Sequence, residues 1–397
     1  MQTTIDRVHT RIPRLELERR WALVRDRLEE RNIDALVVLT SDDFLGGYTK
    51  WFTDRPAISS YHTAVIFHRK DLMTVIDHGS IGMKRTLDGN DLDYPGVGEV
   101  LYTAAFRVAN YTHRFEAELV AGALEKRAYR RVALVGAGAM PYEFVVRLKE
   151  IGNIEFVDET DFIDRCKAVK SELEIKEIRR NAAIQDEVFA EVLTQIRPGM
   201  RDMDVQALVQ QQCRVRGSEQ GVYLSGSAAP GSTAMLQTLH YQARRFEKGD
   251  VITILIENNG PSGFYCEMGR SIVFGKAPSE LIDGFAFVKE AQEQTIRRFR
   301  PGVACADIAE AYDEFLGQHG LPPERRLFAH GQGYDLVERP LIRADEPMTL
   351  AEGMLLVAHP AKVTPQYLAY ICDNYLVAQD GPAASLHRTE RKVFELS

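Results

Sequence analysis

A histidine between small residues is the first feature of the sequence that points to chemistry. His330 lies in Ala329-His330-Gly331-Gln332-Gly333, where little side-chain volume surrounds the imidazole. A ligand can therefore approach both the ring and the backbone, although a surface turn with an incidental histidine has the same pattern. Glu338 follows eight residues later, before Arg339-Pro340. The carboxyl and the imidazole together favour the interpretation of a functional site.

Further reactive side chains lie within or directly after apolar runs that are typical of buried strands. Carboxyl, imidazole and thiol groups serve as acids, bases, nucleophiles or metal ligands. The reactive residues and their apolar runs are Glu257 after 251–256; Tyr265, Glu267 and Arg270 within 263–275; His359 after 354–358; and Cys372 and Asp373 within 370–377.

The order of predicted elements indicates two domains, 1–165 and 166–397. The first alternates helices at 14–31 and 111–126 with strands at 35–39, 63–67, 72–76, 132–136 and 155–158. Such alternation predicts a layered α/β domain.

The second predicted domain contains an apparent internal repeat. A helix over 172–198 ends at Arg197-Pro198-Gly199, and a helix from Ser279 ends at Arg300-Pro301-Gly302, 103 residues further along. Proline and glycine both disfavour continuation of a helix, and each break is followed by a second helix and strands. We interpret the pattern as a duplication whose two halves form one cleft.

Composition excludes several classes of protein. The 397 residues carry a formal net charge of -8, which argues against a nucleic-acid-binding protein. We expect no transmembrane helix and no signal peptide, because apolar runs are short and the first residues lack an apolar core. Five dispersed cysteines without a CxxC pair indicate a reducing compartment. These features predict a cytoplasmic protein.

Two familiar motifs are missing or incomplete. Gly136-Ala137-Gly138-Ala139-Met140-Pro141 has proline where a dinucleotide-binding loop needs its third glycine, so we predict a plain strand-to-helix turn. No GxSxG segment occurs, so a lipase-type serine nucleophile has no local support.

Over almost its whole length the chain resembles the pita-bread family of aminopeptidase P, prolidase, methionine aminopeptidase, creatinase and ectoine hydrolase. The resemblance is carried by an acid with an arginine three residues later (Glu267, Arg270), His330-Gly331-Gln332-Gly333, Glu338-Arg339-Pro340 and His359-Pro360. It implies a creatinase-type N-terminal domain before a duplicated pita-bread domain.

The resemblance also implies where metal ligands are expected. The family's peptidases hold two ions with two aspartates, one histidine and two glutamates. The matching positions here are Ile256 or Glu257, then Glu267, His330, His359 and Cys372, while Val337 replaces another family histidine. Two adjacent cations need bridging carboxylates, which this set lacks.

The altered ligand positions lead to a prediction of function. We expect a creatinase-like hydrolase that cleaves a non-peptide C–N bond in a small polar compound and has no metal cofactor. The main alternative is a peptidase-like enzyme with a single zinc-type ion on Glu267, His330, His359 and Cys372. A lyase of the same fold and a non-catalytic binding protein are further alternatives.

The catalytic roles follow from the same resemblance. His240 or His330 is expected to shuttle the proton, Glu257 or Glu267 to act as base or nucleophile, and Glu338 to serve the leaving nitrogen. His359, Cys372, Asp373, Arg270, Tyr265 and His62 are expected to contact substrate. A Cys372 nucleophile activated by His359 is a further possibility.

A homodimer is also implied, since creatinase-like relatives complete each cleft with a partner's N-terminal loop. The matching stretch here runs from Lys50 through Trp51, Phe52 and Arg55 to His62, and its composition is typical of contact surfaces. In the alternative, a monomer, Trp51 and Phe52 belong to the core.

Overall fold

The computed structural model describes residues 10–40, 46–56, 58, 61–237, 243–380 and 383–397. The chain forms two compact units. The N-terminal unit is Arg11–Lys167, and the C-terminal unit is Ala168–Ser397 with Thr10.

The N-terminal unit is built on a seven-stranded sheet of order β4-β5-β3-β2-β1-β6-β7. Its elements are α1 (Arg14–Glu30), β1 (Ala35–Thr40), α2 (Gly47–Thr53), β2 (Thr63–His68), β3 (Met73–His78), β4 (Lys84–Thr86), β5 (Val97–Thr103), α3 (Phe115–Lys126), β6 (Arg131–Val135), α4 (Tyr142–Lys149), β7 (Glu155–Asp158) and α5 (Thr160–Ala168). Apolar side chains of β1, β2 and β6 pack against α3 and α4.

The structure differs from the sequence prediction in the stretch 50–62. Its first residues belong to α2 and not to a loop. Trp51 and Phe52 are buried, and the indole N–H of Trp21 donates to the Phe52 carbonyl. The two aromatic side chains therefore form part of the core of their own unit. The predicted turn after β6 is found: Gly136 has a left-handed φ of 70° and leads into the short 3-10 turn Ala137–Ala139.

The C-terminal unit contains two main sheets, a small two-stranded sheet and four helices among its described residues. Its elements are α6 (Glu172–Gln195), α7 (Asp202–Val215), β8 (Gly221–Ala228), β9 (Val251–Asn259), β10 (Tyr265–Phe274), α8 (Ser279–Ile296), α9 (Cys305–Gln318), β11 (Ala329–Gly331), β12 (Glu338–Leu341), β13 (Leu355–Ala358), β14 (Ala361–Val363), β15 (Leu368–Tyr370), β16 (Asp373–Leu376), β17 (Ala384–Ser385) and β18 (Phe394–Leu396). The main sheets have the orders β18-β10-β9-β8 and β12-β11-β13-β16-β17.

The predicted helix boundaries have clear local causes. Ser171 and Glu174 form a capping box at the start of α6, which satisfies backbone N–H groups that have no partner inside the helix. The helix ends before Pro198 and Gly199, and Gly199 adopts a φ of 91°. The predicted α/β class, with a pita-bread domain, is confirmed. Among the described residues, no helix is long and apolar enough to cross a membrane.

A seam at Gly269 joins the two main sheets. Gly269 and Cys372 exchange backbone hydrogen bonds of 3.0 and 3.2 Å. A Cβ atom on Gly269 would collide with the Tyr370 ring and the Cys372 side chain. The glycine is required because the two strands approach so closely here, and the seam brings β16 beside Glu267.

Candidate metal centre

Two carboxyl groups lie side by side in the hairpin of β9 and β10. The register of this antiparallel pair places Glu257 directly opposite Glu267, and directly opposite residues project from the same face. Both side chains are buried, with 7% and 4% of their surface exposed. The pairing is continuous from Val251 opposite Val273 to Asn259 opposite Tyr265, so the register holds along the whole hairpin.

Two histidines face this hairpin from neighbouring strands of the other sheet. His330 is in β11 and His359 directly follows β13, and their ring centroids are 5.3 Å apart. His330 Nδ1 lies 2.8 Å from the Gly331 carbonyl oxygen. A carbonyl only accepts, so Nδ1 carries the proton. His330 Nε2 then presents its lone pair toward Glu267 Oε2, 3.9 Å away.

Three of these side chains form a group with metal-binding geometry. One ligand atom from each of Glu267, His330 and His359 lies within 4.8 Å of the other two. Cys372 is outside this group, and its thiol donates to the Glu267 backbone carbonyl at 3.7 Å. The structure thus brings together three of the four ligands predicted for a single ion.

Burial controls the protonation of these groups. It raises the pKa of Glu267 to about 7 and that of Glu257 well above its usual range, the latter also because of the charge on Glu267. Burial lowers the pKa of His330 to about 4 and that of His359 well below its usual value. Both imidazoles are therefore neutral at pH 7, which is the form that binds metal ions. Burial also raises the pKa of the Cys372 thiol, which opposes a role as nucleophile.

The residues fit one divalent ion and do not fit two. Two histidines and one glutamate, with a fourth position open, are a known ligand set of catalytic single-zinc sites. A dinuclear centre needs further bridging carboxylates. Glu257 is outside the three-ligand group, and its Oε1 accepts a hydrogen bond of 2.8 Å from Gln332 Nε2.

The glycines around His330 have a structural role that differs from the predicted one. A Cβ atom on Gly331 would collide with the backbone of Arg339, and one on Gly333 would collide with the Glu338 carboxyl. They therefore allow β12 and Glu338 to pack closely against the histidine segment, and this packing accounts for them without a ligand.

Glu338 holds the loop after β11. Its carboxylate accepts hydrogen bonds from the backbone N–H groups of Tyr334 (2.9 Å) and Asp335 (3.2 Å). It also forms a buried ion pair with Lys170 at 3.0 Å. Its predicted action on a leaving nitrogen stays a prediction.

The residues predicted to bind substrate are mostly engaged inside the protein. Arg270 donates to Asp373 Oδ1 at 2.6 Å, and both side chains are fully buried. The Tyr265 hydroxyl donates to Gln220 at 2.9 Å. In the N-terminal unit, His62 Nδ1 lies 3.4 Å from Glu116. His240 lies outside the described residues.

Sequence reasoning did not single out three buried polar side chains at this site. Gln332 donates to Glu257, Asn374 Nδ2 donates to Gln332 at 2.8 Å, and the Tyr370 hydroxyl lies 3.4 Å from Glu267 Oε1. The available signals were the amide of Asn374 beside Asp373 in a buried strand and the amide between Gly331 and Gly333.

Comparison with known proteins identifies the class. The model of metallopeptidase family M24 matches residues 176–379, just over half of the chain. The chain belongs to this metallopeptidase family.

Individual relatives are similar over most of their length. An Xaa-Pro dipeptidase of Pyrococcus horikoshii is 25% identical over 262 residues, 64% of this chain and 73% of the relative. A probable dipeptidase PepE of Mycobacterium tuberculosis is 27% identical over 253 residues, 63% of this chain and 67% of the relative. Among solved structures, a prolidase from Thermococcus sibiricus superposes with a TM-score of 0.77 at 18% identity, covering 96% of this chain and 99% of that one.

These findings correct two predictions. The prediction of a creatinase-like enzyme for non-peptide C–N bonds is contradicted, because the relatives are dipeptidases and prolidases. The prediction of no metal cofactor is contradicted by membership in a metallopeptidase family. The error came from treating substituted ligands as lost ligands, although Glu267, His330 and His359 still converge. The broader prediction of a hydrolase is supported.

Proposed function

We propose that the protein hydrolyses a peptide bond of short peptides with one divalent ion held by Glu267, His330 and His359. The observation that carries this proposal is the convergence of these three ligand groups in a chain of the M24 family. The names of the relatives suggest the first substrates to try, namely dipeptides that end in proline.

The chain's own residues divide the work between binding and proton transfer. Glu267, His330 and His359 would hold the ion, which would supply Lewis acidity at the peptide carbonyl. Glu257 lies opposite Glu267 but outside the ligand group. We assign to Glu257 the exchange of a proton with water and with the leaving amine.

The surroundings of the site support this division. The Tyr370 hydroxyl and the Cys372 thiol donate to Glu267, one to its carboxyl and one to its backbone carbonyl. The hydrogen bond from His330 Nδ1 to Gly331 fixes the tautomer that presents Nε2, as outer hydrogen bonds do for ligating histidines.

The test is hydrolysis by the protein after its metal has been removed and replaced. Protein stripped with a chelator is loaded with Mn²⁺, Zn²⁺ or Co²⁺ and given Xaa-Pro dipeptides, other dipeptides and tripeptides with proline second. We expect ion-dependent release of amino acids, abolished in His359→Ala. A protein that carries its ion and cleaves no member of this panel would contradict the proposal.

We further propose that the protein is a homodimer, as the sequence predicts, although Trp51 and Phe52 cannot supply the contact because they are buried. In the same stretch Ile58 and Tyr61 remain 58% and 40% exposed. We expect a dimeric mass in solution, reduced toward the monomer by Tyr61→Glu. A monomeric mass of the unaltered protein would contradict this proposal.

A further inference from the structure

Two buried amides connect the two carboxyl-bearing strands through a chain of hydrogen bonds. The Glu267 backbone N–H donates to Asn374 Oδ1 at 2.6 Å. Asn374 Nδ2 donates to Gln332 Oε1, and Gln332 Nε2 donates to Glu257 Oε1, each at 2.8 Å. Asn374 and Gln332 are both fully buried. We call Asn374 and Gln332 the amide relay.

The direction of the relay is fixed by its first member. A backbone N–H only donates, so the atom of Asn374 that faces it must be the amide oxygen. The Asn374 NH₂ group then faces Gln332, whose oxygen must accept. The Gln332 NH₂ group is consequently left for Glu257, and the backbone of β10 determines that Glu257 Oε1 is an acceptor.

The relay distinguishes the two carboxyl groups. Glu267 directs Oε1 to the Tyr370 hydroxyl and Oε2 to His330, which places both oxygens among the metal-site residues. Glu257 has one oxygen held by the relay, and its carboxyl also hydrogen-bonds that of Glu267, but it lies outside the ligand group. The two carboxyl groups therefore have different partners, which suits them to different roles, although they are cross-strand neighbours.

Resting on the proposed function, we propose that Asn374 and Gln332 are positioning residues for Glu257. By holding Oε1, the relay fixes the Glu257 carboxyl, which also hydrogen-bonds the Glu267 carboxyl, in the orientation from which it exchanges the proton during peptide hydrolysis. A carboxyl that is free to rotate would lose this alignment, and misalignment of a catalytic group by about 1 Å costs roughly 100-fold in rate.

The test is a double-mutant cycle on kcat for peptide hydrolysis. Gln332→Met keeps the volume and removes the donor. We expect it to lower kcat about 10- to 100-fold, while KM and the affinity for Mn²⁺ change less than about threefold. In Glu257→Gln protein, whose own kcat is lower by about 100-fold, Gln332→Met should add no further loss, because its effect passes through Glu257.

Two further variants sharpen the test. Asn374→Asp accepts at both oxygens, so Gln332 must turn its NH₂ group to Asp and its oxygen to Glu257. This reversal should lower kcat at least as much as Gln332→Met. The matched control is Gln185→Met, since Gln185 is an equally buried amide that donates to the backbone carbonyls of Ile256 and Cys266. We expect the control to lower thermal stability but to keep kcat within about threefold.

The outcomes separate the two proposals. The positioning role is overturned, while the proposed function stands, if Gln332→Met lowers kcat equally in the unaltered protein and in Glu257→Gln. The same holds if Gln332→Met lowers kcat no more than Gln185→Met does. If Glu257→Gln has no measurable rate, Glu257→Asp, which is too short to reach the relay, replaces it in the cycle. Failure of the unaltered, ion-loaded protein to cleave any peptide overturns the proposed function and the positioning role together.

Discussion

At the scale of single residues, the site keeps its geometry although its ligand types differ from those implied by the resemblance. In the proposed site, His359 would supply a neutral ligand where the resemblance implies glutamate, and Glu267 would supply the one carboxylate of the three-ligand group. The loss of negative charge accounts for a site that suits one ion. The sequence alternative of a single ion named these three residues, and Cys372 is the one member of its four that lies outside the group.

A pair of substitutions separates a ligand from its neighbour. His359→Ala removes one of three ligands, and we expect the affinity for Zn²⁺ to fall by at least about 100-fold. Cys372→Ser should keep the affinity within about threefold, because the thiol hydrogen-bonds a backbone carbonyl and lies outside the ligand group. Titration calorimetry on metal-free protein measures both. A large loss in Cys372→Ser would assign the thiol to the ligand set.

At the scale of elements, the seam between the sheets brings the parts of the site together. Gly269 permits the approach of β10 to Cys372, and the register of β9 with β10 aligns the two carboxyl groups. Local sequence contains the strands but not the seam, which depends on contacts between residues about 100 positions apart.

Gly269→Ala should therefore destabilise the C-terminal unit. Its Cβ would collide with Tyr370 and Cys372, and overpacking of this kind costs about 1–3 kcal/mol. The control is Gly317→Ala in α9, where a Cβ meets no atom within 4 Å and alanine favours the helix by about 0.5–1 kcal/mol. Thermal unfolding measures both. If the two variants are equally stable, the seam is looser than described.

Particular elements show what the sequence could and could not predict. The start of α6 and its Pro-Gly end are local signals, and they were predicted closely. Helix α2 was predicted as a loop, because its seven residues are stabilised by burial of Trp51 and Phe52 and not by periodicity. The amide relay was not predicted, since the partners Gln332 and Asn374 meet only through the pairing of β11, β13 and β16.

At the scale of the whole molecule, the two units carry buried histidines that oppose stability in acid. In the N-terminal unit, burial and, secondarily, the charge of Arg127 lower the pKa of His68 to about 4. Both ring nitrogens of neutral His68 have hydrogen-bond partners. The Thr74 hydroxyl donates its proton to Glu99 and therefore accepts from the His68 Nε2–H. Nδ1 is then the nitrogen that accepts from the Tyr129 hydroxyl. Protonation of Nδ1 would require the Tyr129 hydroxyl to turn and accept instead of donate.

The sign of the pH dependence follows from this depressed value. The unfolded chain binds a proton near pH 6.5 and the folded unit only near pH 4, so stability is complete above 6.5 and is lost as the pH falls toward 4. Between pH 6.5 and 4, we expect the free energy of unfolding to fall by about 3 kcal/mol less in His68→Gln than in the unaltered protein. Both tryptophans, Trp21 and Trp51, lie in this unit, so their fluorescence during urea unfolding reports on it alone. A pH dependence in His68→Gln equal to that of the unaltered protein would contradict the prediction.

The number of ions bound per chain tests the central claim most directly. Metal-free protein is loaded with excess Mn²⁺, freed of unbound ion and measured by elemental analysis against protein concentration. The account predicts one ion per chain, and none in the double variant His330→Ala, His359→Ala. Two ions per chain in the unaltered protein, or one ion that persists in the double variant, would contradict it.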